Sequence, residues 1–167
     1  MKSLKDEFLE MLSNYQGILH KVNLIYFRNA SEREDNFQEI IYQLWKSYPD
    51  LRNKDSIGSW IYAVSINTSI SRLKKKERIE YREELPESMD TYDIEEATTR
   101  ENDFRLLLQA ISNLNKIDKS IMLLYLEEKS YDEIAEILGI SKSNVGVRIS
   151  RAKESLKKTL NLTENGN

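Results

Sequence analysis

The chain has 167 residues, of which 32% are charged and 40% hydrophobic, and a formal net charge of −3. That mix excludes collagen-like, low-complexity and fully disordered chains, and the length suits one ordinary domain or two small ones. With no Cys and a single His, His20, it excludes disulfide scaffolds, thiolate zinc sites, cysteine nucleophiles and multi-histidine metal centres. Five Gly and two Pro are too few for an all-β protein built on many turns. No run approaches the ~18 apolar residues of a membrane span, and the N-terminus Met1-Lys2-Ser3-Leu4-Lys5-Asp6-Glu7 has no apolar signal core. A cytoplasmic location without a membrane span is therefore expected. Taken as a total, a pI near 5.4 argues against nucleic acid as a partner.

In chain order, the first segment repeats Leu4, Phe8, Met11, Leu12, Tyr15, Ile18, Leu19, Val22, Ile25 and Tyr26 at helical spacing, with Gly17 as a candidate break. Ser31-Glu32-Arg33-Glu34 has the form of a capping box. It predicts a helix through Phe37, Ile40, Ile41, Leu44 and Trp45 that Pro49 closes. A polar loop from Asp50 to Ser56 leads to a third helix, from about Ile57 through Trp60, Ile61, Val64, Ile66 and Ile70. That helix ends in a basic run.

Charge is strongly sectored. Residues 71–79 carry +4 through Arg72, Lys74, Lys75, Lys76 and Arg78 against Glu77. Residues 80–103 carry −8, and apolar periodicity lapses there. The stretch from about Glu80 to Thr99 reads as a flexible acidic linker, the alternative being a solvated acidic helix end. Residues 139–160 carry +5. Sectoring of this kind says more about partners than the sum does.

Beyond the linker, Phe104, Leu107, Leu108, Ile111 and Leu114 form one stripe, and Ile117, Ile121, Leu124 and Tyr125 the next. Ser130-Tyr131-Asp132-Glu133 is a second capping box, opening a short helix from Tyr131 to Leu138. Gly139 stands where a C-cap calls for left-handed backbone. Ser141 caps a further helix whose inward face is Val145, Ile149, Ala152, Leu156 and Leu160. Two helices joined by so short a turn make a helix-turn-helix. The outward face of the second carries Lys142, Ser143, Asn144, Arg148, Arg151 and Lys153, suited to a major groove. A merely solvated charged face is the plainer reading. The glycine, the two caps and the short turn weigh against it.

In the first module, one or two lysines would satisfy the dipole at a helix C-terminus, whereas five cations suggest phosphates. Trp60 and Tyr62 nearby suit unpaired bases, although both also fit a core. Acid pairs such as Glu83-Glu84 point apart on a helix, and no Gly-rich phosphate loop is present, so an enzyme is not expected and neither is a cofactor.

The chain resembles the small, two-module extracytoplasmic-function (ECF, group 4) RNA polymerase sigma factors of the sigma-70 family. Three segments carry the likeness. Glu34-Asp35-Asn36-Phe37-Gln38-Glu39-Ile40-Ile41-Tyr42-Gln43-Leu44-Trp45 resembles the group's polymerase-binding helix. Ser59 to Asn67 with Ile70 to Lys76 resembles its promoter-melting helix. Tyr131 to Ser141, then Val145 and Arg148 to Lys153, resembles its C-terminal helix-turn-helix.

The resemblance implies an all-α chain of two small helical domains. These are an N-terminal helical bundle (1–79, region 2) and a four-helix helix-turn-helix domain (101–163, region 4), joined by an acidic linker (80–100). It implies core RNA polymerase as partner, through the largest subunit's clamp helices and the flap, together with promoter DNA and an anti-sigma factor. Asp35, Gln38, Glu39 and Ile40 would dock on polymerase. The loop Leu51, Arg52, Asn53, Lys54, Asp55 and Ser56 would hold a base flipped from the −10 element, with Asn67 beside that pocket; Trp60 would also contact the −10 DNA, and Arg72, Lys74, Lys75 and Lys76 would hold the backbone. Lys142, Ser143, Asn144, Val147, Arg148, Ser150, Arg151 and Lys153 would read the −35 element.

Departures from the family pattern are Ser71 in place of a frequent aspartate, Gly146 in place of a common basic residue, Val147 in place of a small polar one, and Leu51 in place of a frequent aromatic. Gly146 costs the helix about 1 kcal/mol relative to Ala and removes a possible DNA contact. The competing class is a helix-turn-helix regulator acting without polymerase.

Overall fold

Helices follow the apolar stripes, and no strand occurs among the described residues. The computed structural model describes residues 1–83 and 99–164. The chain forms two compact units. The first holds α1 (Leu4–Tyr26), α2 (Ala30–Ser47) and α3 (Ile57–Glu83). The second holds α4 (Thr99–Ser112), α5 (Lys116–Leu126), α6 (Tyr131–Leu138) and α7 (Lys142–Glu164).

α1 opens with a reciprocal cap. Asp6 N–H donates to Ser3 Oγ at 3.2 Å, and Ser3 N–H donates back to the Asp6 carboxylate at 3.2 Å. The Ser3 hydroxyl adds a 2.7 Å bond, and together these hold the Asp6 carboxyl below its usual value. The helix then runs unbroken through Gly17, contrary to the expected break. A single glycine costs about 1 kcal/mol, less than the apolar face on either side of it gains by burial.

α2 is capped by Asn29, whose Oδ1 accepts from Ser31 N–H at 2.8 Å. The box expected at Ser31 is thus displaced by two residues. Asn29 is an equally good cap in extended backbone (φ −85°, ψ 133°), so Ser31 falls inside the first turn. Pro49 lies in a 3-10 turn, Tyr48–Asp50, that closes α2, and a second such turn, Lys54–Ser56, leads into α3.

Phe8, Met11, Leu19, Ile40, Leu44, Tyr48 and Ile61 make the core, with Phe8 edge-on to Trp45 at 5.0 Å and to Tyr48 at 5.3 Å. Polar groups also cross this interior. Asn36 Nδ2 donates to Asn23 Oδ1 (2.7 Å) and to Ser69 Oγ (2.9 Å). Asn23 Nδ2 donates in turn to Leu19 O (2.9 Å), and Ser69 Oγ to Ser65 O (2.7 Å). One buried network therefore fixes α1, α2 and α3 in register.

In the second unit, Leu108, Ile111, Ile121, Leu124, Ile134, Val145, Ile149, Ala152 and Leu156 are buried together along the predicted stripes. Lys119 is only 8% exposed and donates to Ser112 O at 3.3 Å, placing a cation on the C-terminus of α4. Ser130 and Glu133 form the predicted capping box, and Gly139 takes the left-handed conformation (φ 67°). Ile140 N–H then closes on Ala135 O at 3.2 Å. The turn after α5 uses Glu128 at φ 60°, a left-handed position without a glycine, which nothing in the sequence signals.

The linker lies largely outside the described residues. At its edges α3 continues past residue 79 to Glu83, and α4 begins at Thr99. The helical hydrogen-bond ladder outlasts the apolar stripe, so α3 runs beyond the expected limit at residue 79.

Both tryptophans, Trp45 and Trp60, lie in the first unit, so their fluorescence reports it alone. Asn36→Ala is expected to lower that unit's unfolding free energy in urea by about 2 kcal/mol, because Asn23 Oδ1 and Ser69 Oγ lose their donor inside the core. Nothing lies within 4 Å of a Cβ placed on Gly17. Gly17→Ala is expected to raise the same transition by about 0.5–1 kcal/mol.

Candidate nucleic-acid and polymerase interfaces

α2 presents two faces. Asn36, Ile40 and Leu44 point inward and are fully buried, so Ile40 is corrected from a docking contact to a core residue. It follows Asn36 by one helical turn and shares its stripe. Asp35 and Gln38 are exposed, and Glu39 is half-buried, accepting from Gln43 Nε2 at 2.9 Å. The exposed face continues into Tyr42 (57% exposed) and Trp45 (41%), two residues the site reading passed over.

The loop before α3 is anchored at one end. Leu51 packs on the core. Arg52, Asn53, Lys54, Asp55 and Ser56 are exposed. Asn53 Oδ1 accepts from Asp55 N–H at 3.0 Å, which leaves its amide NH2 outward, and Lys54 Nζ reaches Glu7 on α1 at 3.4 Å.

On α3, Trp60, Asn67, Lys74 and Arg78 recur at spacings of seven, seven and four, so they share one helical stripe. Trp60 is half-buried, tilted against Tyr48 at 6.3 Å, and acts more as a wall than as a free stacking ring. Asn67, Lys74, Lys75 and Arg78 are exposed. Arg72 and Lys76 turn instead toward α2. Arg72 Nη2 lies 3.6 Å from Asp35 Oδ2, and Lys76 Nζ bonds Glu32 Oε1. The basic run is thus divided between an outward set and a set held against α2.

On α7, Lys142, Ser143, Asn144, Val147, Ser150, Arg151 and Lys153 are exposed, and the inward residues are those expected. Ser141 Oγ accepts from Asn144 N–H at 3.2 Å, which starts the helix. Arg148 is held more tightly than the sequence suggests. Its Nη1 donates to Asp118 Oδ1 on α5 at 2.8 Å, and its Nε to Asn144 Oδ1 at 3.2 Å. Asp118 is fixed in turn by Asn115 Nδ2 at 2.6 Å. Lys153 Nζ donates to Tyr125 Oη at 2.7 Å and sits 4.3 Å from that ring's centroid. The Tyr125 bond raises the ammonium's pKa above its ordinary value. A raised lysine pKa keeps the charge, and its contact, intact below about 10.4 and loses both only as pH climbs past the folded value.

A Cβ on Gly146 would lie 3.6 Å from the Tyr131 ring. The expectation that Gly146 deletes a DNA contact is therefore revised, because the missing side chain would start toward α6. Val147 is outward as expected, at 49% exposure.

Known proteins share this design. Residues 11–79 match the family model for sigma-70 region 2, and residues 104–156 match the model for sigma-70 region 4. The chain belongs to the sigma-70 family. It is 29% identical, over 166 residues, to the ECF RNA polymerase sigma-E factor of Haemophilus influenzae, covering 91% of this chain and 86% of that one. To the RNA polymerase sigma factor SigV of Bacillus subtilis it is 28% identical over 145 residues, covering 84% and 83%. Among solved structures, the sigma factor RpoE of Bartonella quintana, in complex with the anti-sigma factor NepR, superposes with a TM-score of 0.73 at 19% identity. That match covers 96% of this chain and 98% of the other. This ECF sigma factor acts in promoter recognition and transcription initiation, and as a sigma factor it supplies no enzymatic step.

Two expectations follow for the second unit. Asp118→Ala is expected to destabilise it by about 1 kcal/mol, because the Arg148 guanidinium loses a partly buried partner. Gly146→Ala is expected to stabilise it by about 0.5–1 kcal/mol, since the methyl meets Tyr131 at ordinary contact distance. Far-UV circular dichroism in urea, with the tryptophan signal recorded alongside to isolate the first unit, measures both.

Proposed function

We propose that the sigma activity is divided among three faces. The exposed side of α2, with Asp35, Gln38 and Glu39, docks on the clamp helices of the polymerase's largest subunit. The loop 51–56 and the outward stripe of α3 take the −10 element as single strand, with Asn67 beside the extruded base and Lys74, Lys75 and Arg78 on phosphates. Extruding a base costs a few kcal/mol of stacking, which backbone contacts and a pocket must offset. The outward face of α7 reads the −35 element as duplex, and the flap of the polymerase holds this unit. The expected limits of 1–79 and 101–163 widen to the helix ends, so that the first unit runs to Glu83 and the second starts at Thr99.

The observation that best supports this reading is the separation of charge by helix. Carboxylates and an amide are exposed on α2, cations and an amide on α3, and a cationic stripe on α7. A regulator that worked without polymerase would have no use for the first of these. In the second unit Arg148 is braced by Asp118 in a partly buried pair, whereas Arg151, and Lys142 on an open surface pair with Asp132, carry the adjustable phosphate contacts, and Val147 stands ready for a thymine methyl.

No described helix is long and apolar enough to cross a membrane, which is in keeping with work on cytoplasmic polymerase. An anti-sigma factor is a further expected partner, since a sigma factor of the same fold is bound to one.

The test is a capture assay with core polymerase run beside in vitro transcription. Asp35→Ala with Gln38→Ala is expected to reduce polymerase capture at least tenfold. Lys74→Ala with Lys75→Ala is expected to keep capture and lose promoter opening. Lys142→Ala with Arg151→Ala is expected to keep capture and lose dependence on the −35 element. Loss of capture in all three, with each variant folded, would contradict the division.

A further inference from the structure

α2 and α3 meet through charge as well as through their core. Glu32 and Asp35 lie one turn apart on α2, and Lys76 and Arg72 lie one turn apart on α3. The two acids engage the two cations pairwise. A carboxylate at this range occupies the position that a phosphate oxygen would take. Lys74, Lys75 and Arg78, on the rest of the same helical end, are exposed to solvent.

Neither pair is sealed. Side-chain exposure is 37% for Arg72 and 59% for Asp35, and 41% for Lys76 and 27% for Glu32. Ion pairs this open hold weakly and yield to competing anions. We infer that Glu32 and Asp35 serve as internal substitutes for phosphate, which hold Arg72 and Lys76 on the protein until a nucleic-acid backbone displaces them.

The inference rests on the reading that α3 faces DNA. It adds that the basic run does not act at full strength in the free chain. A cation paired with a carboxylate has little counterion to release, so it contributes little to the salt dependence of DNA binding. Glu32 has no other assigned role. Asp35 also belongs to the proposed polymerase face, so Glu32 is the cleaner residue to change.

The experiment is fluorescence anisotropy of the full chain, without polymerase, on a labelled single-stranded DNA of mixed sequence across a salt series. Glu34→Gln, an exposed change of equal charge on the same helix, controls for net charge. Glu32→Gln is expected to bind about two- to fivefold more tightly than Glu34→Gln, the range one exposed ion pair covers. It is also expected to steepen the log–log salt slope by about 0.7. Adding Lys76→Gln to Glu32→Gln should remove that gain.

If Glu32→Gln, folded by its thermal melt, matches Glu34→Gln in affinity and slope, the inference is wrong. It is also wrong if the gain survives Lys76→Gln. A triple change of Lys74, Lys75 and Arg78 to Gln separates the two levels of the account. If the triple variant binds less tightly while Glu32→Gln shows no gain, only this inference fails. If the triple variant binds like the unaltered chain, α3 is not the DNA face and the proposed function fails with it.

Discussion

Asn36 donates to two helices at once. Its amide reaches Asn23 on α1 and Ser69 on α3 from the middle of an apolar interior. A hydrophobic contact tolerates sliding by a fraction of a turn, whereas a buried amide does not, because a shift leaves polar atoms unpaired. The network is not fully satisfied, since Asn36 Oδ1 and Ser65 Oγ have no partner among the described residues. Its contribution is therefore better described as fixing register than as adding stability. The residues proposed to act on partners are referenced to it directly. Asp35 precedes Asn36, Glu32 and Glu39 lie about a turn to either side, and Arg72 follows Ser69 by one turn. The proposed polymerase face, the proposed DNA stripe and the charge pairs between α2 and α3 all take their positions from these bonds.

The second unit fixes its functional helix by other means. Its core is apolar apart from Ser120, whose hydroxyl donates back to Lys116 O at 2.9 Å, and its other polar restraints lie at helix ends and at one surface. Ser130, Asn115 and Ser141 start the helices, Gly139 and Glu128 end them, and Lys119 closes the C-terminus of α4. Asp118 and Tyr125, both on α5, then hold Arg148 and Lys153 on α7. Two cations of α7 are thereby pre-oriented, which lowers the entropy to be lost in the proposed contact with DNA. Arg151, exposed with a long side chain, retains freedom to follow the backbone, and Lys142 is held only by a solvent-exposed pair with Asp132 at 3.2 Å.

Elements that depend on local chemistry were legible in the sequence. The boundaries of α6, its capping box, the left-handed Gly139 and the inward face of α7 all follow from residues within a few positions of one another. The charge sectors were legible too, and they overturn what the pI suggests. Features set by distant residues were not. Asn23, Asn36 and Ser69 are unremarkable singly and meet only once three helices pack. The bond from Asp118 to Arg148 spans 30 positions. Glu32, an interior residue of the expected Ser31–Glu34 box, proved to be the partner of Lys76, 44 positions along the chain. Ile40 was placed on the docking face by its motif, and one helical turn of geometry puts it in the core. A polar residue on an apolar stripe, as Asn36 is with Ile40 and Leu44, was the one available signal of the buried network.

The central claim is that three helices of one chain address three targets, one on polymerase and two on promoter DNA. Site-specific photo-crosslinking tests it most directly, with a photoreactive residue placed in turn at Gln38, Lys75 and Val147 in a holoenzyme bound to promoter DNA. The account predicts that Gln38 crosslinks to the largest polymerase subunit, Lys75 to the −10 region and Val147 to the −35 region. Crosslinking of Gln38 to DNA, or of Lys75 to polymerase in place of DNA, would contradict it.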